Sequence, residues 1–262
     1  MLNKKPTKNI LVFTDLDGTL LDHDSYSFKP ASHMLDFLKH NNIPLIIVTS
    51  KTKSEVLQLQ EALGITAPFI IENGAGIYLP KEEGHLIIPL GKRYDQTRRA
   101  FVKYAEEIPM YGFSDMQIDE IAERTSLSPD RAYLASRRDF SEPFVLDKDE
   151  DLQKLRKMAE KDGFDVVKGG RFYHLITKGQ DKAAAIRKVI QHYENLYGTS
   201  VTSIALGDSE NDLTMLQSVD VPILIPHPDG SYIPCDIPHL IKAPFPGPEG
   251  WNSALKGYLH VQ

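Results

Sequence analysis

Two carboxylates, Asp15 and Asp17, end an apolar run in the stretch LVFTDLDGTLLDHD. Like charges at that spacing repel, so the fold must either neutralise them or use them. Other polar groups close apolar runs in the same way. Thr49, Ser50 and Lys51 follow IPLIIV, Lys182 opens a helix-like segment, and Asp208, Asn211 and Asp212 stand in GDSENDL. Brought to one edge of a sheet, these groups form a pocket of acids with a hydroxyl and an ammonium group.

The intervening segments are suited to placing them there. NILVFT is a continuous apolar run bounded by turn chemistry, as a strand buried on both faces requires. SHMLDFLKHN reads as a helix, IPLIIVTS as a strand, KSEVLQLQEALG as a helix closing on Gly64, and APFIIENG as a third strand. This strand–helix order implies a parallel sheet with helices on both faces. In such sheets ligands bind beyond the carboxyl ends of the strands.

From about Ile77 the rhythm changes. GIYLPKEEGHLIIPL reads as two short strands, followed by helix-like DQTRRAFVKYAEEI and MQIDEIAERTSLS and strand-like EPFVL. DEDLQKLRKMAEKDG is a helix, and FDVVKGGRFYHLIT reads as a hairpin turning at Gly169-Gly170. The doubly wound pattern resumes with DKAAAIRKVIQHYENLYG, VTSIALGD, NDLTMLQSV and VPILIP. The expected fold class is therefore α/β: a doubly wound parallel-sheet core, residues 1–84 and 179–262, with an α+β cap domain inserted at 85–178.

Composition narrows the function classes. The 262 residues are 41% hydrophobic and 25% charged, with a net charge of −6 and no basic block, so no nucleic-acid partner is expected. A single cysteine, Cys235, excludes a disulfide framework and a cysteine-rich zinc site. The apolar runs are too short for a signal peptide or a bilayer span. No membrane association and a cytoplasmic location are expected; oligomeric state is not legible.

DLDGT after a first strand, Thr49 ending the second, a later Lys182 and GDSEND, in this order, resemble the haloacid dehalogenase (HAD) superfamily of aspartate-nucleophile phosphatases. The resemblance implies that Asp15 attacks phosphorus and forms an aspartyl-phosphate. Asp17 would protonate the leaving alkoxide and then deprotonate the hydrolytic water. It also implies a magnesium ion, hard and oxygen-seeking, held by Asp15, the backbone carbonyl of Asp17, and Asp208. Thr49, with Ser50 beside it, and Lys182 would bind phosphoryl oxygens. Asp212 and Asn211 would orient metal waters or Lys182.

The inserted segment and its borders extend the resemblance to the mannosyl-3-phosphoglycerate phosphatase family. The residues that carry it are VTSKT, IENGAGIYLP, RRDFSEPF, GGRFYHL, GDSENDLTML, PDGSY and GPEGWN, reaching from residue 10 to about 253. It implies a sugar-phosphate substrate carrying a glycerate carboxylate and sugar hydroxyls. Arg137, Arg138 or Arg171 would pair with the carboxylate. Asn73, Glu142 and His174 would meet hydroxyls, and Phe172 or Tyr173 would stack on the ring. Rival readings are another sugar phosphatase, including one for glucosyl-3-phosphoglycerate or hexose phosphates, a sugar phosphomutase, and a non-catalytic sugar-phosphate sensor. A response-regulator receiver is excluded, because the candidate nucleophile ends the first strand.

Overall fold

A computed structural model describes residues 9–168 and 171–261. In chain order it contains β1 (Ile10–Thr14), α1 (Ser32–His40), β2 (Leu45–Val48), α2 (Lys53–Leu63), β3 (Phe69–Ile71), β4 (Gly76–Pro80) and β5 (His85–Pro89). Next come α3 (Tyr94–Ala105), β6 (Met110–Gly112), α4 (Ile118–Thr125), α5 (Pro129–Ser136), β7 (Glu142–Leu146), α6 (Leu152–Lys161), β8 (Phe164–Lys168) and β9 (Tyr173–Thr177). The chain closes with α7 (Lys182–Tyr197), β10 (Thr202–Gly207), α8 (Leu213–Gln217), β11 (Val221–Leu224), β12 (Ile241–Lys242) and α9 (Gly247–Leu259).

The large sheet has the order β12-β11-β10-β1-β2-β3-β4-β5, parallel from β12 to β3. Its central strand shows why an unbroken apolar run was needed. Leu11 and Phe13 pack against Ile186, Val189 and Met215 on one face, while Val12 packs with Met34, Val56 and Trp251 on the other. The helices lie on both faces, as strand–helix alternation requires. Among the described residues no helix is long and apolar enough to cross a membrane.

The second sheet is antiparallel, with the order β6-β7-β9-β8. One of its faces buries Phe144, Val166, Tyr173 and Leu175 against Phe101, Tyr104 and Leu155 of α3 and α6. The boundary expected at residue 85 is displaced. His85–Pro89 pairs antiparallel with β4 and extends the large sheet, so the smaller unit begins after Pro89. The β4–β5 hairpin looks like part of a strand-rich insertion in sequence because antiparallel neighbours alternate in the same way in either sheet. The turn assigned to Gly169-Gly170 lies outside the described residues.

Candidate active site

β1 is the middle of the parallel sheet, and its carboxyl end carries Asp15, whose N–H donates to Leu206 O at 2.9 Å. Asp15 is buried, at 7% relative exposure. The chain then turns at Gly18, where φ is +76°. A Cβ there would meet Asp208 Oδ2 at 2.5 Å, so glycine allows the β10 carboxylate to close on the turn. Thr19 Oγ1 donates to Asp208 Oδ1 at 2.9 Å and fixes that carboxylate.

Lys182 enters from above β1. Asp181 caps α7 by accepting from Ala184 N at 2.6 Å, which makes Lys182 the first helical residue and turns it inward. Its ammonium donates to Asp15 Oδ1 at 2.6 Å and Asp212 Oδ1 at 2.7 Å. Burial opposes that charge, but Asp15 and then Asp212 outweigh it and hold Lys182 above the ordinary lysine range. Lys178, four residues earlier, pairs instead with Glu160 on the exposed surface.

Two acids therefore share one ammonium, and a third, Asp208, stands beside them. Oxygens of Asp15, Asp208 and Asp212 lie within 4.8 Å of one another. Burial raises the Asp15 pKa well above its ordinary value against the pull of Lys182, and the charges of Asp212 and Asp208 raise it further. Burial, then Asp212, pushes Asp208 up to about 6. An all-oxygen set with excess negative charge suits a hard divalent cation. Asp212 is also a support: its Oδ2 accepts from the N–H groups of Asp208 and Ser209, each at 3.1 Å.

The β2 end brings the next groups. Thr49 is buried and its Oγ1 accepts from Lys51 N at 3.2 Å, while Ser50 lines the pocket. Thr52 and Glu55 form a capping box that starts α2 immediately after Lys51. Lys51 then reaches Asp17 Oδ2 at 2.8 Å, which leaves Asp17 Oδ1 buried and unpartnered among the described residues. Burial works against the Lys51 charge, but Asp17 and then Glu55 raise its pKa. The sequence places Lys51 with Thr49 and Ser50 at a strand end, but its pairing with Asp17 is not legible there.

Above these groups opens a cavity of about 850 Å³. Its far wall is the opposite face of the small sheet, from which Pro143, Val167, His174 and Ile176 line it. Register decides which residues take part. Pro143 pairs with His174 and Glu142 with Leu175, so Glu142 shares the face of Leu175, turned away from the cavity. Glu142 is thus no substrate contact: it is fully buried and accepts from Tyr94 OH and, at 3.0 Å, from Ser114 N. Tyr173 likewise faces the α3–α6 side, its hydroxyl donating to Asp149 at 2.9 Å, whereas Phe172 does line the cavity.

Arg137 is also placed elsewhere. It ends α5 on the exposed surface with its guanidinium over Tyr133, and the chain turns so that Arg138 points inward instead. Arg171 lines the cavity rim, donating to Ser126 Oγ at 2.9 Å. Asn73 and Asn211 line it near the acids, with 3.5 Å between Asn211 Nδ2 and Asn73 Oδ1. Sequence reading missed Glu72, which follows an apolar run just as Asp15 does, yet reaches the other unit. Its carboxylate accepts from Asp139 N and Ser141 N, both at 2.7 Å, and lies 3.3 Å from Arg138.

A model of the haloacid dehalogenase-like hydrolases matches residues 12–225. A glucosyl-3-phosphoglycerate/mannosyl-3-phosphoglycerate phosphatase of Persephonella marina is 47% identical over 257 residues, covering 94% of this chain and 96% of that one. A protein of the same name from Methanococcoides burtonii is 38% identical over 261 residues, covering 94% and 95%. Among solved structures, a Thermoplasma acidophilum protein aligns with a TM-score of 0.71 at 21% identity, covering 96% of this chain and 99% of that one. A HAD subclass IIB sugar phosphatase aligns at 0.66 with 15% identity, covering 95% and 98%, and both structures speak to the fold alone. With the acids and lysine held at the carboxyl edge of the parallel sheet, inside the matched span, the chain belongs to the haloacid dehalogenase-like hydrolase family.

Proposed function

We propose that this protein is a phosphomonoester hydrolase that removes phosphate from a glycosyl-3-phosphoglycerate, mannosyl or glucosyl, through an aspartyl-phosphate on Asp15. The observation that carries the reading is Asp15 paired with Lys182 at 2.6 Å, among two further acids and beneath a roomy polar pocket. The pairing fixes one oxygen of Asp15, and the other is the nucleophile toward phosphorus. An ammonium has three protons. Two are spent on Asp15 and Asp212, so the third meets a phosphoryl oxygen. Thr49 and Ser50 close the opposite side of the phosphoryl group.

Asp17 acts as acid and base. Lys51 occupies its Oδ2, so proton transfer to the leaving oxygen and from the hydrolytic water falls to Oδ1. Asp15, Asp208 and the Asp17 carbonyl would hold a divalent cation, Mg²⁺ on this reading, which would supply the positive charge that lets an anionic nucleophile approach an anionic phosphate. Asp212 supports that set from behind. The unit between residues 90 and 178 acts as a cap that selects the leaving group and limits water.

Phosphate release is measured on mannosyl- and glucosyl-3-phosphoglycerate and on hexose phosphates, with and without Mg²⁺, for the wild type and Asp15→Asn. Cation-dependent release favouring a glycosyl-3-phosphoglycerate, lost in the variant, is expected. Equal turnover of simple hexose phosphates would remove the substrate assignment. Undiminished activity of Asp15→Asn would remove the mechanism.

A further inference from the structure

Among the described residues three buried side-chain polar atoms lack partners, Asp17 Oδ1, Arg138 Nε and His174 Nδ1, and all three residues line the same cavity. The mechanism uses the first. Buried polar atoms are satisfied in the great majority of cases, so the other two point to a ligand group.

Arg138 is not free to meet an anion. Its side chain is only 4% exposed, and Nη2 donates to Ser141 Oγ at 2.7 Å and Ser50 O at 3.1 Å. Glu72, fully buried, balances its charge at 3.3 Å. The guanidinium is thus fixed and neutralised, with Nε–H left as an unpaired donor on a side chain that lines the cavity. His174 stands on the cavity-lining face of the small sheet, beside Pro143. Burial, and next the nearby Arg138, lowers its pKa to about 3, so the ring is neutral and one nitrogen can accept.

One balanced donor beside one neutral acceptor is the complement of a hydroxyl, which accepts and donates at once. A carboxylate would set a second anion beside Glu72 and against a ring lone pair. We propose that Arg138 and His174 form a hydroxyl-reading subsite, in which one sugar hydroxyl accepts from Arg138 Nε–H and donates to His174 Nδ1, with Glu72 as the positioning residue that holds Arg138. This rests on the sugar-phosphate reading above and moves the glycerate carboxylate away from Arg138.

The test compares kcat/KM for the glycosyl-3-phosphoglycerate, its monodeoxy-sugar analogues, and the glycosyl glycerol phosphate that lacks the carboxylate. Wild type, His174→Ala, His174→Asn and Glu72→Gln are compared, each first shown to melt cooperatively. In wild type one deoxy position costs about 10- to 100-fold, the range of a hydrogen bond to a charged or buried group. In His174→Ala that penalty collapses to within a few-fold, while penalties at other hydroxyls and for the missing carboxylate stay at wild-type values. Glu72→Gln weakens discrimination at the same hydroxyl, and His174→Asn, whose amide reaches the place of Nδ1, restores part of it. Unchanged hydroxyl discrimination in His174→Ala would overturn the subsite, as would selective loss of carboxylate discrimination. If wild type turns over another sugar phosphate instead, the same ratios are taken on its deoxy analogues. Wild-type rates thus judge the substrate class, and variant ratios judge the subsite.

Discussion

Replacing Lys182 by methionine keeps the length of the side chain and removes its charge from between Asp15 and Asp212. At the observed 2.6 and 2.7 Å, each pair is worth about 6 kcal/mol of gross attraction at an effective dielectric constant near 20. Desolvation offsets most of that, and breaking a buried pair by deleting one partner costs roughly 3–5 kcal/mol. Against a total stability of about 5–15 kcal/mol this is a large fraction. Urea denaturation in a chelator should show that loss. Asp15 and Asp212 also belong, with Asp208, to the candidate cation cluster, so removing the competing ammonium leaves that cluster without its positive partner. Titrating a divalent cation should then stabilise Lys182→Met more than wild type, by about 1.4 kcal/mol for each tenfold gain in affinity. Equal stability of the two proteins in chelator, or equal stabilisation by the cation, would refute the reasoning that ammonium and cation share these carboxylates.

Gly18→Ala forces a side chain into the left-handed region, at about 1–2 kcal/mol, and drives Asp208 from its place 2.5 Å away from the new Cβ. The cation concentration for half-maximal activity should rise about tenfold or more. Glu142→Ala should destabilise by about 2–3 kcal/mol, because Tyr94 and Ser114 lose their acceptor. Its ratios of kcat/KM among sugar analogues should stay as in wild type, since it faces away from the cavity. Lowering pH should unfold the ligand-free protein partly through His174. Its folded pKa, about 3, lies below the ordinary 6.5, so the unfolded chain binds the proton first. The contribution is full above pH 6.5 and falls as pH drops toward 3, reaching about 2 kcal/mol of loss at pH 5. Denaturation of His174→Phe at the two pH values should show that much less pH dependence.

The parallel core was legible because its strands are buried on both faces, which leaves an apolar run ending abruptly in Asp15, Thr49 or Asp208. Polar groups at such ends have one place to go, the edge of the sheet. The small sheet was legible only as a kind of structure. β6 spans three residues, too short to show an alternation, and α5 is a two-turn helix that starts at Pro129. Which residues face the cavity depends there on a register of one residue. Glu142 and Pro143 differ by a single position, and pairing with Leu175 and His174 sends the acid inward and the proline to the pocket. Arg137 and Arg138 are separated by the same kind of choice, made by the end of α5. No local pattern encodes it.

Glu72 shows how the two units are joined at the level of single atoms. It lies at φ +48° and its neighbour Asn73 at +58°, a left-handed pair that costs about 1–3 kcal/mol per residue and needs compensation. The compensation is visible. Successive N–H groups of Asp139, Phe140 and Ser141 converge on its carboxylate, an anion nest filled from within the chain. Arg138, at the head of that nest, donates to Ser50 O on the loop that follows Thr49. The loop proposed to meet phosphate and the side chain proposed to read the sugar are therefore fixed by one buried network. A substitution at Glu72 should disturb both kcat and sugar discrimination, whereas one at His174 should act on discrimination first.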